Sequence, residues 1–111
     1  WDVWIAALRE DELALASEEL SYSHYVYAEC RRHAADFLAS LGADYADAAS
    51  AYAEVADALQ TLCDRWPYPA PAPTHAARVE LASLLVRARD AENAGVEAIA
   101  VALAKAKALL G

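Results

Sequence analysis

The residues best suited to chemistry in this 111-residue sequence are carboxylates and an imidazole in its first half. Glu29 and His33 are four residues apart, which places both side chains on one face of a helix. Glu54 follows in the next predicted helix. Di-iron sites in helical bundles use a glutamate and a histidine three residues apart on each of two helices. That spacing and a second such pair are both missing from the sequence, so we predict no metal site and no cofactor.

Two interpretations of this acidic group remain open. In the first, Glu29 and Glu54 neutralise Arg31 and Arg32 in a salt-bridged seam between two helices. In the second, the seam and the tyrosines near it bind a small molecule. The candidate ligand-binding residues are Tyr22, Tyr25, Glu29, His33, Tyr52 and Glu54.

Nucleophilic catalysis has one candidate pair, Cys30 and His33, which are three residues apart. Reactive cysteines usually lie at helix N-termini or in loops, where the thiolate is stabilised. Cys30 lies in the middle of an alanine-rich helical pattern, so we predict a packing role for it. The sequence also contains no glycine-rich phosphate loop and no Gly-x-Ser-x-Gly motif. We therefore predict no catalytic residue in this chain.

The charge and hydropathy of the chain restrict its partners. Acidic residues number 17 against 9 basic ones, for a net charge of -8, which disfavours nucleic acid and anionic lipid. No apolar run approaches the roughly 20 residues that span a bilayer, so we predict no membrane partner. We expect Cys30 and Cys63 to be reduced thiols, which favours a cytoplasmic protein.

Helix-forming residues fill most of the chain, and glycine occurs three times. We predict an all-α fold with a single domain over residues 1–111: an antiparallel bundle of three long helices and a short tryptophan-rich N-terminal helix. The second helix starts near Ser17 and stops at Gly42, and the third runs from Asp44, its expected N-cap, to about Trp66. The apolar stripe expected to be buried on the second helix is Tyr22, Tyr25, Val26, Cys30, His33, Phe37 and Leu41.

The fourth helix is expected to be capped by Thr74 and to reach almost to Gly111. It would contain about 35 residues and be about 50 Å long, and Gly95 is the one place where it could kink or break. Before it, prolines at alternate positions of residues 67–73 predict a stiff extended connector.

Antiparallel packing across short turns places residues at matching levels. Glu54 should then pair with Arg31 or Arg32, and Cys30 and Cys63 should be about 12 Å apart along the axis, too far for a disulfide. The last third of the fourth helix should extend past the turn at Gly42 without partners. We expect this part to be an interface, covered by the N-terminal helix and by a contact outside the chain. The candidate interface residues are Trp1, Trp4, Val96, Ile99 and Leu103.

Three segments resemble a known family: residues 1–8, residues 25–38 and residues 52–59. They are similar to the C-terminal helical region of bacterial proteins whose N-terminal half is a papain-like or butirosin-biosynthesis-H-type cysteine domain. The resemblance implies that any catalytic cysteine and histidine belong to that other domain. The chain departs from the family pattern at Tyr27, where the family has tryptophan, and at Cys30, where the family has a small residue.

Two expectations follow for the function. Because the sequence begins at Trp1 and contains no methionine, we expect it to be the C-terminal part of a longer chain. We predict a non-catalytic accessory or interaction domain of a larger bacterial protein, whose partner is another domain of that protein or a second copy. The alternative is a small-molecule or metal-binding bundle that uses Glu29, His33 and Glu54.

Overall fold

The computed structural model describes residues 1–9, 17–67 and 73–111, with side chains of the second helix described from residue 23 onward. Helices form almost all of these ranges, and no strand occurs in them. The helices are α1 (Asp2–Arg9), α2 (Ser17–Ser40), α3 (Ala46–Arg65) and α4 (His75–Leu110), with a 3₁₀ turn at Ala43–Tyr45. The all-α prediction is confirmed. Residues 68–72 of the proline-rich connector lie outside the described residues.

Local sequence signals explain where α2 ends and where α4 begins. Gly42 ends the α2 segment with a φ of 102°, a left-handed conformation that glycine adopts without steric cost. Thr74 caps α4 as predicted, because its Oγ1 accepts a hydrogen bond of 3.2 Å from the amide of Ala77. The prediction that Asp44 caps α3 is wrong: α3 starts without a side-chain cap, and Asp44 lies in the 3₁₀ turn.

The main core is built around α3, which contributes Val55, Leu59 and Leu62, all fully buried. Leu81 and Leu85 of α4 pack on them, and α1 adds its two buried side chains, Ile5 and Leu8. Alanines fill many of the remaining contact positions, and small side chains allow helix axes to approach closely. A smaller cluster of Leu38, Ala48 and Ala49 holds the other end of the bundle.

Helix α4 is continuous through Gly95 and spans 36 residues. At this position a Cβ atom would lie 2.6 Å from Cε2 and 2.9 Å from Cδ2 of Tyr52. Glycine at this position lets the Tyr52 ring lie against the α4 backbone, and a larger residue would have to displace that ring. The helix does not break at this glycine.

The pairing of α3 with α4 differs from the expected register. Arg65 forms an ion pair with Glu80, and Asp44 accepts a hydrogen bond of 2.9 Å from Lys105. Ala102 between these levels is buried. The prediction that the last third of α4 has no partners is therefore wrong as far as Lys105, because α4 is displaced along α3 relative to the position that the length of the connector predicts. Contacts with the 3₁₀ turn that precedes α3 persist to Lys105.

The expected buried stripe of α2 is also wrong. Among the α2 side chains described, from residue 23 onward, the buried ones are His24, Ala28, Ala35 and Leu38, which are spaced four, seven and three residues apart. Small residues face α3 because they permit close packing. The larger side chains of the expected stripe, including Val26, Phe37 and Leu41, are exposed.

None of the helices in the described ranges has both the length and the hydropathy that a membrane crossing needs.

Candidate functional site

An aromatic cluster joins α1 to α2 and to the end of α3. The indole of Trp4 makes edge-to-face contacts with His24 and with Tyr27, each at 5.0 Å between ring centroids. Trp1 packs edge-on against Trp4 at 5.8 Å, and Trp66 lies 6.1 Å from His24. Edge-to-face pairs of this kind stabilise by about 1 kcal/mol each beyond burial. The cluster explains why an eight-residue helix can hold its position on the bundle.

His24 lies at the centre of this cluster and is only 1% exposed. Within the part of the chain that the structure describes, neither of its ring nitrogens has a hydrogen-bond partner. Burial lowers the pKa of His24 from 6.5 to about 4, because the charged imidazolium loses its hydration. The imidazole is therefore neutral at neutral pH, and the rings around it block its use as a general base for an external substrate.

A charged group borders the aromatic cluster. Arg31 donates from Nε to Glu92 at 2.8 Å, while its guanidinium lies 5.0 Å from the Tyr27 ring and 6.0 Å from the Trp1 ring. The indole Nε1 of Trp1 donates to the other oxygen of Glu92 at 2.6 Å. Each charge is thus neutralised within the protein, and cation–π contact adds to the attraction. Glu92 fastens both α1 and α2 to α4.

The structure brings some of the predicted ligand-binding residues together and separates others. Tyr25, Glu29 and His33 line one open groove on α2, of about 440 Å³, which also contains Arg32 and reaches Gln60 of α3. Tyr52 and Glu54 lie instead on the side of α3 that faces α4, against Gly95 and Arg87 respectively. The side chain of Tyr22 lies outside the described residues.

The expected ion pair of Glu54 with Arg31 or Arg32 is wrong. Glu54 accepts a hydrogen bond of 3.0 Å from Arg87, while Arg32 donates to Asp57 at 2.7 Å and Arg31 binds Glu92. The physical reason is the register: Asp57, one turn further along α3, lies level with Arg32. The single polar seam expected between α2 and α3 is divided among three helices.

Metal binding has little support in this geometry. Glu29 Oε1 and His33 Nε2 lie 3.7 Å apart, and both side chains are about three-quarters exposed. In the described ranges, no group of three or more histidine, cysteine, aspartate or glutamate side chains is placed to hold a metal ion. A structural metal site normally has four ligands, so this pair alone is insufficient.

The two cysteines are free thiols in different environments. Cys30 is exposed on the outer face of α2, and Cys63 is buried in α3. Burial, together with the nearby charge of Asp64, raises the pKa of the Cys63 thiol to about 11. The thiolate is the nucleophilic form, so Cys63 is unreactive at neutral pH.

The candidate interface residues fall into two groups. Trp1 and Trp4 belong to the aromatic cluster, where α1 lies along α4 between the levels of Val79 and Glu92. The prediction that α1 covers Val96, Ile99 and Leu103 is therefore wrong. Ile99 packs partly against the small cluster of Leu38, Ala48 and Ala49, whereas Val96 and Leu103 are 55% and 56% exposed.

Two large apolar residues at the C-terminal end of α2 lie on the surface, contrary to the prediction. Phe37 is 63% exposed, and Leu41 is about half exposed. Both continue the spacing of large apolar side chains on α2, and this spacing predicts a core position for them. The spacing of Ala28 and Ala35, seven residues apart, was the signal that could have identified the packed face instead.

Comparisons of the chain with known protein families, with curated proteins and with solved structures give no match.

Proposed function

We propose that this chain is a non-catalytic helical interaction domain of a larger bacterial protein, which packs on another domain of that protein or on a second copy. One observation carries the proposal: large apolar side chains remain exposed at the C-terminal end of α2 and along the second half of α4. They are Phe37, Leu41, Val96, Leu103 and Leu110. Exposed apolar surface of this kind marks contact sites in proteins that are otherwise well packed.

The distribution of polar groups also supports an interaction role. The most perturbed titratable groups, His24 and Cys63, are enclosed in the core, where a substrate cannot reach them. The charged side chains that bridge helices, such as Arg31 and Glu92, neutralise one another. Groups with shifted pKa values in an open cleft would favour catalysis, but His24 and Cys63 lie in the core.

The proposal includes three finer points from the sequence. The chain is taken as an antiparallel bundle of three long helices, supported by the order of the pairs Arg65–Glu80 and Asp44–Lys105. Its setting is the cytoplasm, supported by the exposed thiol of Cys30. Its parent protein has a papain-like or butirosin-biosynthesis-H-type N-terminal domain, supported by the resemblance of residues 25–38.

The experiment that tests the proposal separates a contact surface from a core. In the double variant Val96→Ser/Leu103→Ser, the free energy of unfolding of the dilute chain should change by less than about 1 kcal/mol, as for exposed sites. Retention on a hydrophobic-interaction column should fall. Val101→Ser is the matched control, since Val101 is 69% exposed on another face of α4. A loss of about 3 kcal/mol or more in the double variant would show that these residues form core and would remove the proposal.

A second candidate function rests on the groove beside α2. Tyr25, Glu29 and His33 combine an aromatic ring, a carboxylate and an imidazole in a space of about 440 Å³, which is sufficient for a small organic ligand. A thermal-shift screen of aromatic amines and carboxylic acids tests this candidate. Stabilisation by a compound that is lost in both His33→Gln and Gln60→Ala would support it, and an effect retained in both variants would place binding elsewhere.

A further inference from the structure

His24 is a polar side chain buried at the point where α1 docks on the other helices. It is 1% exposed, and among the described residues neither of its ring nitrogens has a hydrogen-bond partner. A polar group buried in this way costs free energy, which the contacts around it must offset. Trp4 of α1 supplies one of these contacts, with 5.0 Å between the two ring centroids. Departure of α1 would therefore expose the imidazole to water.

The attachment of α1 is small compared with the contacts that join the three longer helices. α1 has eight residues, of which only Ile5 and Leu8 are buried. Three ion pairs connect the longer helices without it: Arg32 with Asp57, Glu54 with Arg87, and Arg65 with Glu80. Segments with few buried contacts open at a lower free-energy cost than the rest of a fold. Release of α1 can therefore leave α2, α3 and α4 packed.

We propose that α1 is an acid-sensitive switch: it stays docked over His24 while the imidazole is neutral, and uptake of one proton by His24 releases it. A neutral imidazole is compatible with the surrounding aromatic rings, whereas an imidazolium among them would lose its hydration. Once α1 has moved away, the charged ring is hydrated again. The switch needs neither a partner nor a ligand, so it does not depend on the proposed interaction function.

The helices that meet at this cluster carry other titratable groups in the described ranges. They include the ion pairs Asp2–Arg89 and Arg31–Glu92, the phenol of Tyr27, the thiol of Cys63 and the buried guanidinium of Arg78. The Cys63 thiol stays neutral, because burial raises its pKa to about 11. Burial is also the cause of the lowered pKa of His24, to which no charge of the described residues contributes. The switch therefore depends on hydration of the imidazole.

Opening of α1 should depend on pH in one direction. Burial lowers the pKa of His24 from 6.5 to about 4 while α1 is docked. The docked form is therefore fully stable above about pH 6.5 and loses stability as the pH falls below this value. Between pH 7 and pH 5 the equilibrium constant for opening should rise about twentyfold. Ordinary carboxyl groups titrate below this range, which separates their effect from that of His24.

Hydrogen exchange of the native chain at pH 7 and pH 5 tests the switch, with each rate divided by the intrinsic rate at the same pH. Amides of residues 5–8 should be less protected than amides near Leu59, which is fully buried in α3. Their protection should fall about twentyfold between the two pH values. His24→Leu should abolish most of this fall, whereas His75→Leu, at an exposed site, should retain it.

Three results of this experiment would overturn the proposal. The first is equal protection of α1 and α3, which would mean that α1 opens only when the whole chain unfolds. The second is protection of α1 that does not change with pH. The third is a fall in protection that His24→Leu leaves unchanged.

A second measurement tests the same proposal without substitution of His24. The NMR signal of the proton on Cε1 of His24 reports the protonation of the imidazole. In Trp4→Ala, which removes the ring that contacts it, the pKa of His24 should rise toward 6.5, because water reaches the imidazole. Val3→Ala, on the exposed face of α1, should leave the pKa unchanged. A pKa as low in Trp4→Ala as in the wild type would show that α1 does not shield His24, and the proposal would fail.

Discussion

The imidazole of His24 lies 5.0 Å from the indole of Trp4, with the two ring planes at 85°. This contact attaches the first helix to the second through a polar ring that is fully buried and, among the described residues, has no hydrogen-bond partner. The stability of the α1 contact therefore depends on the protonation of one side chain.

Acidification should weaken the fold through His24. Burial lowers its pKa from 6.5 in the unfolded chain to about 4 in the folded chain, so the unfolded chain binds more protons between these pH values. The free energy of unfolding therefore falls as pH decreases from about 6.5, and the contribution lost at pH 4 reaches about 3 kcal/mol.

His24→Leu should remove this part of the pH dependence. Urea unfolding at about pH 7 and pH 4.5 measures it, with His75→Leu as the control because His75 is exposed at the start of α4. Equal losses of stability in the wild type and in His24→Leu would contradict the account of the buried imidazole.

Gly95→Ala should destabilise the chain despite the higher helix propensity of alanine. The new methyl group would overlap the Tyr52 ring, which lies 2.6 Å from the Cβ position. Overpacking costs about 1 to 3 kcal/mol, and propensity offsets about 1 kcal/mol of it. Thermal unfolding should show a net loss of about 1 kcal/mol, and Asn93→Ala, on an exposed face of the same helix, should show none. Adding Tyr52→Leu to Gly95→Ala should recover the propensity gain, and no coupling between the two sites would exclude the steric explanation.

Glu92→Ala should release α1 and α2 from α4 together. It removes the acceptor of both Trp1 and Arg31 and leaves a mostly buried guanidinium unpaired, at a cost of about 2 kcal/mol. Tryptophan emission should shift to longer wavelength before global unfolding in urea. Glu80→Ala removes the exposed ion pair with Arg65 and should cost less than about 1 kcal/mol. Similar effects of the two substitutions would refute the linking role of Glu92.

Leu8→Ala tests whether the short first helix belongs to the core. Leu8 is fully buried, and deletion of a buried leucine side chain costs about 2 to 5 kcal/mol. Val3→Ala, on the exposed face of the same helix, should cost less than about 0.5 kcal/mol. If both variants unfold at the urea concentration of the wild type, α1 contributes nothing to stability.

The end of α2 and the start of α4 were predictable because they depend on local signals, whereas the start of α3 was not, since Asp44 lies in a 3₁₀ turn. Gly42 and Thr74 act within a turn of their own positions, through a left-handed φ and a side-chain cap. The buried face of α2 was not predictable from apolar periodicity. The large apolar side chains of this helix, such as Phe37, are exposed, whereas Ala28 and Ala35 are buried. Small side chains are favoured on this face because they let the axes of α2 and α3 approach closely.

Whether the predicted site residues lie together in the structure depends on how far apart they are in the sequence. Glu29 and His33 share a groove because helix geometry alone joins residues four apart. The partner of Glu54 depends on the axial position of α4, which no local pattern determines, and it proved to be Arg87. Likewise, the position of α1 on α4 follows from the long-range contact of Trp1 with Glu92.

Hydrogen exchange of α4 at low and high protein concentration is the most direct test that the second half of this helix is a contact surface. The account predicts that amides after Val96 exchange more slowly at high concentration, while amides near Leu85, in the core of one chain, exchange at the same rate in both samples. The account would be contradicted by two results together. The amides after Val96 would exchange at equal rates at the two concentrations, and their exchange would not slow when another domain of the same protein is added.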